Sequence, residues 1–565
     1  MTGAAPSPLG PVTMDRRRFL AACLGGVGAL ALGGCSPGSG SGSAGARTLR
    51  LPGGAIGFPS PFAANAGPGY QQMVLVYDTL LWKDGSGQLL PWLASGHDVS
   101  ADHLTHTFRL RPDVTWSDGR PLTAHDAAFT FGYYAEQEVL PPPVLVQPPA
   151  GIADVRAVDD ATVTVTLEKP LVTFSEQVAG AVPVIPGHVW SSIDDPPAAL
   201  DLDVLVGSGP YRLRSYAGDG GPMLFTARQD HFLGPPHVTR VEYEAVEDQF
   251  AALLGGGTDV ARGTGLRDDV LAPFAGDAGF GTVTERGASA RALYWNLGRE
   301  GALADVRFRR ACAMAVDRAA LVSRLAAGRG LPGNPGFLSP ANPWFAPVRQ
   351  YELDLPGAAA LLDGAGYLAG EGGVRRDAAG RPLRFELLID AAEAPLAEVL
   401  AEALGRIGVD LRTKAVQIGP QLFGTKLTGG YDMAVLPYPG PVPGGPNSDP
   451  DLLRLLFSSE AGPSLMGATT YANRDFDDLA ERQRTAFVDA ERKAMVAEMQ
   501  RIVADDLPVL VLYYPDTSIV FRKRALDVWY FTPGQFPVQE ENKHLFVTGR
   551  KAGVGTPPES APGKG

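Results

Sequence analysis

Alternating apolar and polar residues mark two stretches of the chain, and each alternation predicts a half-buried β-strand. In residues 107–111 the apolar side chains are Phe108 and Leu110. In residues 162–167 threonine alternates with valine or leucine. Both patterns have the period of two that places one face of a strand against a core.

Apolar residues at helical spacing predict two helices later in the chain. Asp305 is placed to cap the first helix and Gly328 to end it. The buried positions of this helix are predicted to be Phe308, Cys312, Ala315, Val316 and Ala319. The second helix is stopped by Gly408, precedes a strand start at 409–411, and has its apolar face at Leu396, Val399, Leu400, Ala403, Leu404 and Ile407. This exchange of helices and strands predicts an α/β fold.

The amino-terminal segment has the organisation of an export signal, with basic residues, an apolar run and then small residues. Arg16 and Arg17 occupy the paired positions of a twin-arginine signal. Residues 32–35 (Leu-Gly-Gly-Cys) resemble a lipobox, which predicts that residues 1–34, including Cys23, are removed and that Cys35 is acylated. A general secretory signal with an incidental cysteine is the alternative.

A Gly/Ser-rich stretch completes the predicted anchor. Residues 35–46 are predicted to be the lipidated cysteine and a tether, which holds a folded body outside the membrane. The tail at 551–565 has too few apolar residues to pack and is predicted to be disordered.

Composition excludes several classes of protein. The 565 residues carry a net charge of −13, which argues against a nucleic-acid surface. Removal of residues 1–34 deletes three Arg and one Asp and changes this charge to −15. Three cysteines exclude a disulfide scaffold, and Cys312 is predicted to be a buried thiol rather than a reactive one.

The sequence contains no recognisable catalytic set, because it has no HExxH, P-loop or G-x-S-x-G motif. His97, His103 and His106 lie close together in sequence. They are predicted to occupy a polar surface turn before the strand at 107–111, with a metal site as the alternative.

The body of the chain, from Leu49 to about Phe546, resembles the family 5 extracytoplasmic solute-binding proteins of ABC importers (the peptide, dipeptide and nickel type). The most specific block is 107–126, which contains Trp-Ser-Asp-Gly at 116–119. Further blocks follow in the family's order at 184–190, 207–211, 305–311, 316–318, 361–367, 430–432, 449–451 and 471–477.

The resemblance implies an α/β fold with three lobes, of the type II (cluster C) periplasmic-binding-protein kind, and a ligand cleft between the lobes. It places lobe I at 47–72, 200–287 and 515–550, lobe II at 73–199, and lobe III at 288–514. It also implies a monomer that delivers a small-molecule or peptide-like solute to membrane permeases driven by cytoplasmic ATPases.

This chain departs from the family where peptide-binding members hold the ends of their ligand. A Gly-Trp-x-Gly-Asp loop supplies the family's amine-binding aspartate, but the matching residues 437–441 read Pro-Tyr-Pro-Gly-Pro, which keep an aromatic residue at Tyr438. Dipeptide-type members offer an arginine where residues 389–394 carry Asp390 and Glu393. These two acids are predicted either to face a cationic ligand or to be solvated in a loop.

Aromatic residues complete the predicted site. Tyr70, Trp344 and Tyr438 are candidates for stacking on a ligand, with core packing as the alternative for Trp344. We therefore expect a lipid-anchored receptor on the outer face of the bacterial cell membrane, without catalysis, cofactor, metal or nucleic acid. An envelope lipoprotein with a sensing or chaperone role, or an enzyme on the same scaffold, is the alternative.

Overall fold

The computed structural model describes most of the chain after the predicted tether. The described residues are 47–63, 68–83, 88–136, 151–287, 289–417, 422, 425–426, 428–439, 449–461, 470–531 and 543–550. The predicted signal (1–34), the lipidated cysteine and tether (35–46) and the tail (551–565) lie outside these residues.

Strands and helices alternate through the described chain, which confirms the α/β prediction. The strands are β1 Thr48–Pro52, β2 Leu81–Lys83, β3 Leu89–Pro91, β4 Ala94–Val99, β5 Thr105–Leu110, β6 Ile152–Asp159, β7 Thr162–Leu167, β8 Tyr211–Tyr216, β9 Met223–Ala227, β10 Arg240–Glu244, β11 Val260–Thr264, β12 Phe280–Glu285, β13 Ser289–Trp295, β14 Gly330–Pro332, β15 Leu368–Ala369, β16 Arg375–Arg376, β17 Arg384–Asp390, β18 Asp410–Val416, β19 Met433–Pro439, β20 Val509–Pro515 and β21 Thr517–Arg522. The α-helices are α1 Pro68–Met73, α2 Ala124–Glu136, α3 Gly187–Trp190, α4 Gln249–Gly255, α5 Asp268–Ala275, α6 Val306–Ala315, α7 Arg318–Leu325, α8 Leu355–Gly364, α9 Ala394–Gly405, α10 Asp451–Phe457, α11 Arg474–Gln483, α12 Asp489–Asp506 and α13 Lys543–Thr548. No helix among the described residues is long and apolar enough to cross a membrane.

Four larger sheets organise the described residues. Two have four strands, in the orders β1-β10-β9-β8 and β4-β5-β7-β6, and a third has three, in the order β11-β21-β12. The fourth has six strands in the order β14-β20-β13-β19-β17-β18. Both strands predicted by alternation are present, as β5 and β7, and Thr107 pairs with Thr164 between them.

The helix predicted after Asp305 is interrupted. Asp305 caps α6 as predicted, since its side chain accepts a hydrogen bond from Arg307 N, and Cys312 is buried. Val316, however, has an extended conformation, and Asp317 caps a second helix, α7, by accepting from Ala320 N. Because α7 begins in a new direction, Ala319 is exposed rather than buried. The prediction of one continuous helix was therefore wrong.

The second predicted helix is α9, whose buried residues are Leu396, Ala397, Leu400, Ala403 and Leu404. Val399, expected in the apolar face, is half-buried. Gly408 adopts the left-handed φ of 81° that favours glycine, and β18 follows.

The chain divides into two halves, defined here by the cores to which their residues belong. The first half, 47–287 and 516–550, contains the largest core, which is continuous across residues predicted as lobes I and II. The second half, 289–515, contains two cores on opposite faces of the six-stranded sheet. In the part of the chain that the structure describes, the path crosses between the halves twice, from β12 to β13 and from β20 to β21.

A hydrogen bond joins the two crossings. The Asp516 carboxylate accepts from Gly287 N at 2.8 Å, and Gly287 has a φ of 63°, which glycine adopts without strain. The backbone of Asp516 also accepts from Gly265 N and donates to Arg329 O. The crossings are thus fixed to each other and to both halves.

A buried ion pair fastens the carboxy-terminal segment to the first half. Lys543 Nζ lies 2.6 Å from Asp78 Oδ1 and also donates to Tyr77 O. The ammonium sits 4.2 Å from the ring centroid of Trp82 and 5.2 Å from that of Trp92. Burial alone would raise the pKa of Asp78, but Lys543 and His231 hold that pKa below its ordinary value. Burial lowers the pKa of Lys543, and the Asp78 carboxylate opposes that shift.

We predict that Lys543→Met destabilises the protein by about 3–5 kcal/mol, because it leaves the Asp78 carboxylate buried without its cation. The double variant Asp78→Asn/Lys543→Met removes both charges and is expected to lose less stability than the single variant. Urea unfolding measures both free energies. A single variant that is no less stable than the double variant would contradict this account.

Candidate functional site

Polar side chains collect at one edge of the six-stranded sheet, where the chain crosses between the halves. At this crossing edge β13 begins, and β17, β19 and β20 end. Ser289 pairs with Pro439 across β13 and β19, and Arg291 pairs with Tyr513 across β13 and β20. The ladder shifts register between Arg291 and Ala292.

Arg291 forms the centre of this edge. Its Nε lies 2.6 Å from Glu393 Oε1, and its Nη1 lies 2.9 Å from Ser289 Oγ. The side chains of Arg291 and Glu393 are 12% and 20% exposed, so the pair is accessible from solvent although largely desolvated. Glu393 is thus paired with a residue of the chain itself.

Sequence reasoning missed Arg291 because Glu393 is 102 positions away and no local pattern joins them. The available signal was a single charged residue inside the apolar segment Ser-Ala-Arg-Ala-Leu-Tyr-Trp. A charge in such a strand has to find a partner when the strand is buried.

Asp390 ends β17 and caps the turn that precedes α9. Its carboxylate accepts from Ala392 N at 3.1 Å. Asp390 and Glu393 therefore lie at the same edge but make different contacts. Asp390 caps the turn before α9, whereas Glu393 forms an ion pair with Arg291. Their contact with a cationic ligand stays a prediction.

Two further titratable groups lie beside the crossings. Burial, followed by the charge of Glu393, raises the pKa of Tyr513 to about 12. Glu285, the last residue of β12, has an Oε2 atom that is buried without a hydrogen-bond partner. Burial raises the pKa of Glu285 to about 7.

The opposite face of the six-stranded sheet carries Tyr438, which pairs with Ala290 of β13. Tyr438 is buried, and its ring packs edge to face on Phe337 with centroids 5.6 Å apart. The hydroxyls of Tyr438 and Tyr294 are both buried without a hydrogen-bond partner. Lys426 lies 4.9 Å from the Tyr294 ring centroid, and burial lowers its pKa to about 7.

The other two predicted aromatic residues lie elsewhere. Tyr70 is buried in the first core, where its hydroxyl donates to Ala181 O at 2.6 Å. Trp344 is half-buried against the core that contains Tyr438, under the guanidinium of Arg492 at 4.9 Å. Arg492 is itself paired with Asp449 at 2.7 and 2.9 Å. Of the five predicted site residues, Tyr438, Asp390 and Glu393 thus lie at the crossing edge, whereas Tyr70 and Trp344 do not. Ligand contact by any of the five stays a prediction.

The two halves also meet away from the crossings. The ring of His103 stacks on Phe487 with centroids 3.8 Å apart and planes 11° apart. Val172 N donates to Arg484 O at 2.9 Å. The halves are thus in contact both at the crossings and at a second place.

The three histidines do not share one turn. His97 lies in β4, and His106 lies in β5, buried and 3.1 Å from the His97 ring. His103 instead faces Phe487. The surface-turn prediction was wrong for His97, which lies within a strand, and for His106, which belongs to the buried face of its strand. Among the described residues no group of three or more His, Cys, Asp or Glu is arranged to hold a metal ion.

Comparison with known proteins reveals extensive similarity. The sequence profile described as "Bacterial extracellular solute-binding proteins, family 5 Middle" matches residues 88–462. Protein XP55 of Streptomyces lividans is 29% identical over 466 residues, covering 80% of each chain. The dipeptide-binding protein of Escherichia coli is 25% identical over 483 residues, covering 80% of this chain and 86% of its own.

Similarity in three dimensions extends over most of the chain. NikZ from Campylobacter jejuni, solved with Ni(L-His), superposes with a TM-score of 0.72 at 24% identity, covering 84% of this chain and 94% of its own. This match and the family profile confirm the predicted type II periplasmic-binding-protein-like fold.

We predict that His106 makes the stability of the protein depend on pH. Burial lowers its pKa from 6.5 to about 4, so the unfolded chain takes up a proton that the folded chain excludes. The free energy of unfolding therefore falls as pH drops from about 6.5 to about 4. His106→Gln is expected to reduce this dependence in urea unfolding, whereas His125→Gln, at a side chain that is 68% exposed, is the matched control. Equal pH dependence in the wild type and His106→Gln would contradict the prediction.

Proposed function

Because the chain belongs to the family 5 bacterial extracellular solute-binding proteins, we propose that it captures a peptide-like or other organic solute between its two halves and delivers it to an ABC permease. Proteins of this family are extracytoplasmic binding proteins of ABC importers rather than enzymes. The observation that carries the proposal for this chain is the polar cluster at the crossing edge, where Arg291 and Glu393 remain partly accessible.

Closure of the halves around the solute follows from the two crossings. A solute favours the closed form only if it contacts both halves. The crossing edge borders both halves, since Glu285 ends β12 on one side of a crossing and Ser289 begins β13 on the other. The contacts of His103 with Phe487 and of Val172 with Arg484 supply additional attraction in the closed form.

The charges at the crossing edge favour a solute whose own charges are balanced. Arg291 and Glu393 present a cation and an anion side by side. A solute with a carboxylate and an amine can share these partners, whereas a single unpaired charge would be desolvated at a cost of several kcal/mol. A peptide-like compound meets this requirement without the ligand-end residues of the family's peptide receptors.

The amino-terminal segment supports a proposal about location. Cys35, in its lipobox-like context, would carry the lipid that holds the body on the outer face of the cell membrane. Arg16 and Arg17 would direct export by the twin-arginine route. One working monomer for each permease fits this arrangement.

Native mass spectrometry of the protein purified from its own host tests solute capture. We predict a bound organic compound in the wild type, and at least about tenfold weaker retention in Arg291→Gln, because the solute loses a desolvated ionic partner. Arg299→Gln is the matched control, since this arginine is 51% exposed and lies beyond the other end of β13. A wild type free of any bound compound, or equal retention by Arg291→Gln, would refute the proposed role.

Substitution of the cysteines tests the anchor. Cys35→Ser is expected to move the protein from the membrane fraction to the soluble fraction, because the acyl chains supply the membrane affinity. Cys23→Ser is expected to leave it in the membrane fraction, since that residue is removed with the signal. Immunoblots of fractionated cells measure both. Membrane retention of Cys35→Ser would rule out lipidation at this position.

A further inference from the structure

A basic pocket lies where the chain enters its folded body. It has a volume of about 300 Å³ and is lined by Arg47, Thr48, Arg50, Asp259, Arg524 and Ala525. Arg47 is the first described residue, β1 begins at the next position, and Arg524 follows β21. The wall of the pocket is therefore built from β1, the residue just before β11 and the segment just after β21, all in the first half.

The arginines of this pocket keep their charge available to solvent. Arg47 and Arg524 are exposed, and the side chain of Arg50 is 41% exposed although it lies 3.3 Å from Glu242. Asp259 is buried, and its carboxylate is used by Arg50 N, which donates to it at 2.9 Å. One oxygen of this carboxylate is thus engaged by the backbone of β1, and the lining carries three arginines against one aspartate.

The pocket is basic on an acidic protein. The whole chain has a net charge of −13, yet residues 522–524, at the end of β21 and just beyond it, read Arg-Lys-Arg. Lys523 is exposed, like Arg524. An anionic partner is therefore attracted to this place and repelled by most of the remaining surface.

We propose that this pocket binds the phosphate of an anionic phospholipid and orients the body on the membrane. The inference rests on the proposed anchor, because Cys35 lies twelve positions before Arg47 in the sequence. Acylation at Cys35 would keep the first strand close to the lipid headgroups. The guanidinium groups would bind phosphate oxygens through paired N–H donors.

Such an interaction would orient the protein rather than hold it. Each arginine near an anionic membrane strengthens binding by about fivefold, so three would contribute of order a hundredfold. The attraction extends over about one Debye length, roughly 8 Å at physiological salt, and needs the pocket itself to face the lipid. The mouth of the solute cleft would then have a defined direction relative to the permease.

Vesicle sedimentation with residues 36–565 tests this proposal without the lipid anchor or any solute. This chain contains the whole compact unit that begins at Ala46. We expect it to bind phosphatidylcholine vesicles that contain phosphatidylglycerol, and to bind pure phosphatidylcholine vesicles at least tenfold less. Arg47→Gln/Arg50→Gln/Arg524→Gln is expected to lose at least tenfold of the binding to phosphatidylglycerol.

A matched variant controls for net charge. Arg324→Gln/Arg406→Gln/Arg412→Gln removes three exposed arginines of the second half and is expected to bind like the wild type. Thermal unfolding of both triple variants verifies that they fold. Equal loss by both variants, full binding by the pocket variant, or no preference of the wild type for phosphatidylglycerol would each overturn the proposal. Because the assay uses no solute and no acyl chain, its failure would leave the receptor role and Cys35 to their own tests.

Discussion

The two crossings between β12 and β13 and between β20 and β21 are the constraint on which the arrangement of the two halves depends. The hydrogen bond from Gly287 N to the Asp516 carboxylate keeps the crossings side by side. Because β13 starts there and β20 ends there, the polar residues at these two strand ends lie at one edge of the six-stranded sheet. The same two segments are the covalent links between the halves, so the proposed solute site lies beside the axis about which the proposed closure would take place.

Several charged side chains that are buried or half-buried in this protein are paired with opposite charges. Asp78 and Lys543 in the first half, and Asp449 and Arg492 in the second, are buried ion pairs whose members come from distant parts of the chain. Arg291 and Glu393 follow the same rule but remain partly exposed. This difference separates pairs that are buried within the fold from a pair with partial access to solvent, on which the proposal of a solute with balanced charges rests.

The sequence predicted secondary structure well where residues within a single strand or helix determine it. The strands β5 and β7, the cap at Asp305 and the helix α9 follow from periodicity and capping alone. The break between α6 and α7 was missed, because Asp317 caps a new helix while the apolar pattern runs through. His106 was misplaced because strand β5 begins two residues earlier than its alternation suggested.

The site was only partly predictable for a physical reason. Tyr438, Asp390 and Glu393 were predicted because they match positions where members of the family hold the ends of their ligand, but Arg291 acquires its partner only through a tertiary contact. Tertiary packing determines which residue pairs with a desolvated charge, and Arg291 pairs with Glu393, which is 102 positions away in the sequence. The resemblance predicted the family and fold, whereas the charges at the crossing edge needed the structure.

Closure about the crossings can be measured directly as a distance between the halves. Val99 and Val488 are exposed near the contact of His103 with Phe487. Spin labels on cysteines at these positions, in residues 36–565, would react selectively, because burial raises the pKa of the Cys312 thiol. Protein that retains its bound solute is predicted to give one short, narrow distance, and protein stripped of solute is predicted to gain a longer component. Identical distance distributions in the two preparations would contradict a receptor that closes on its ligand.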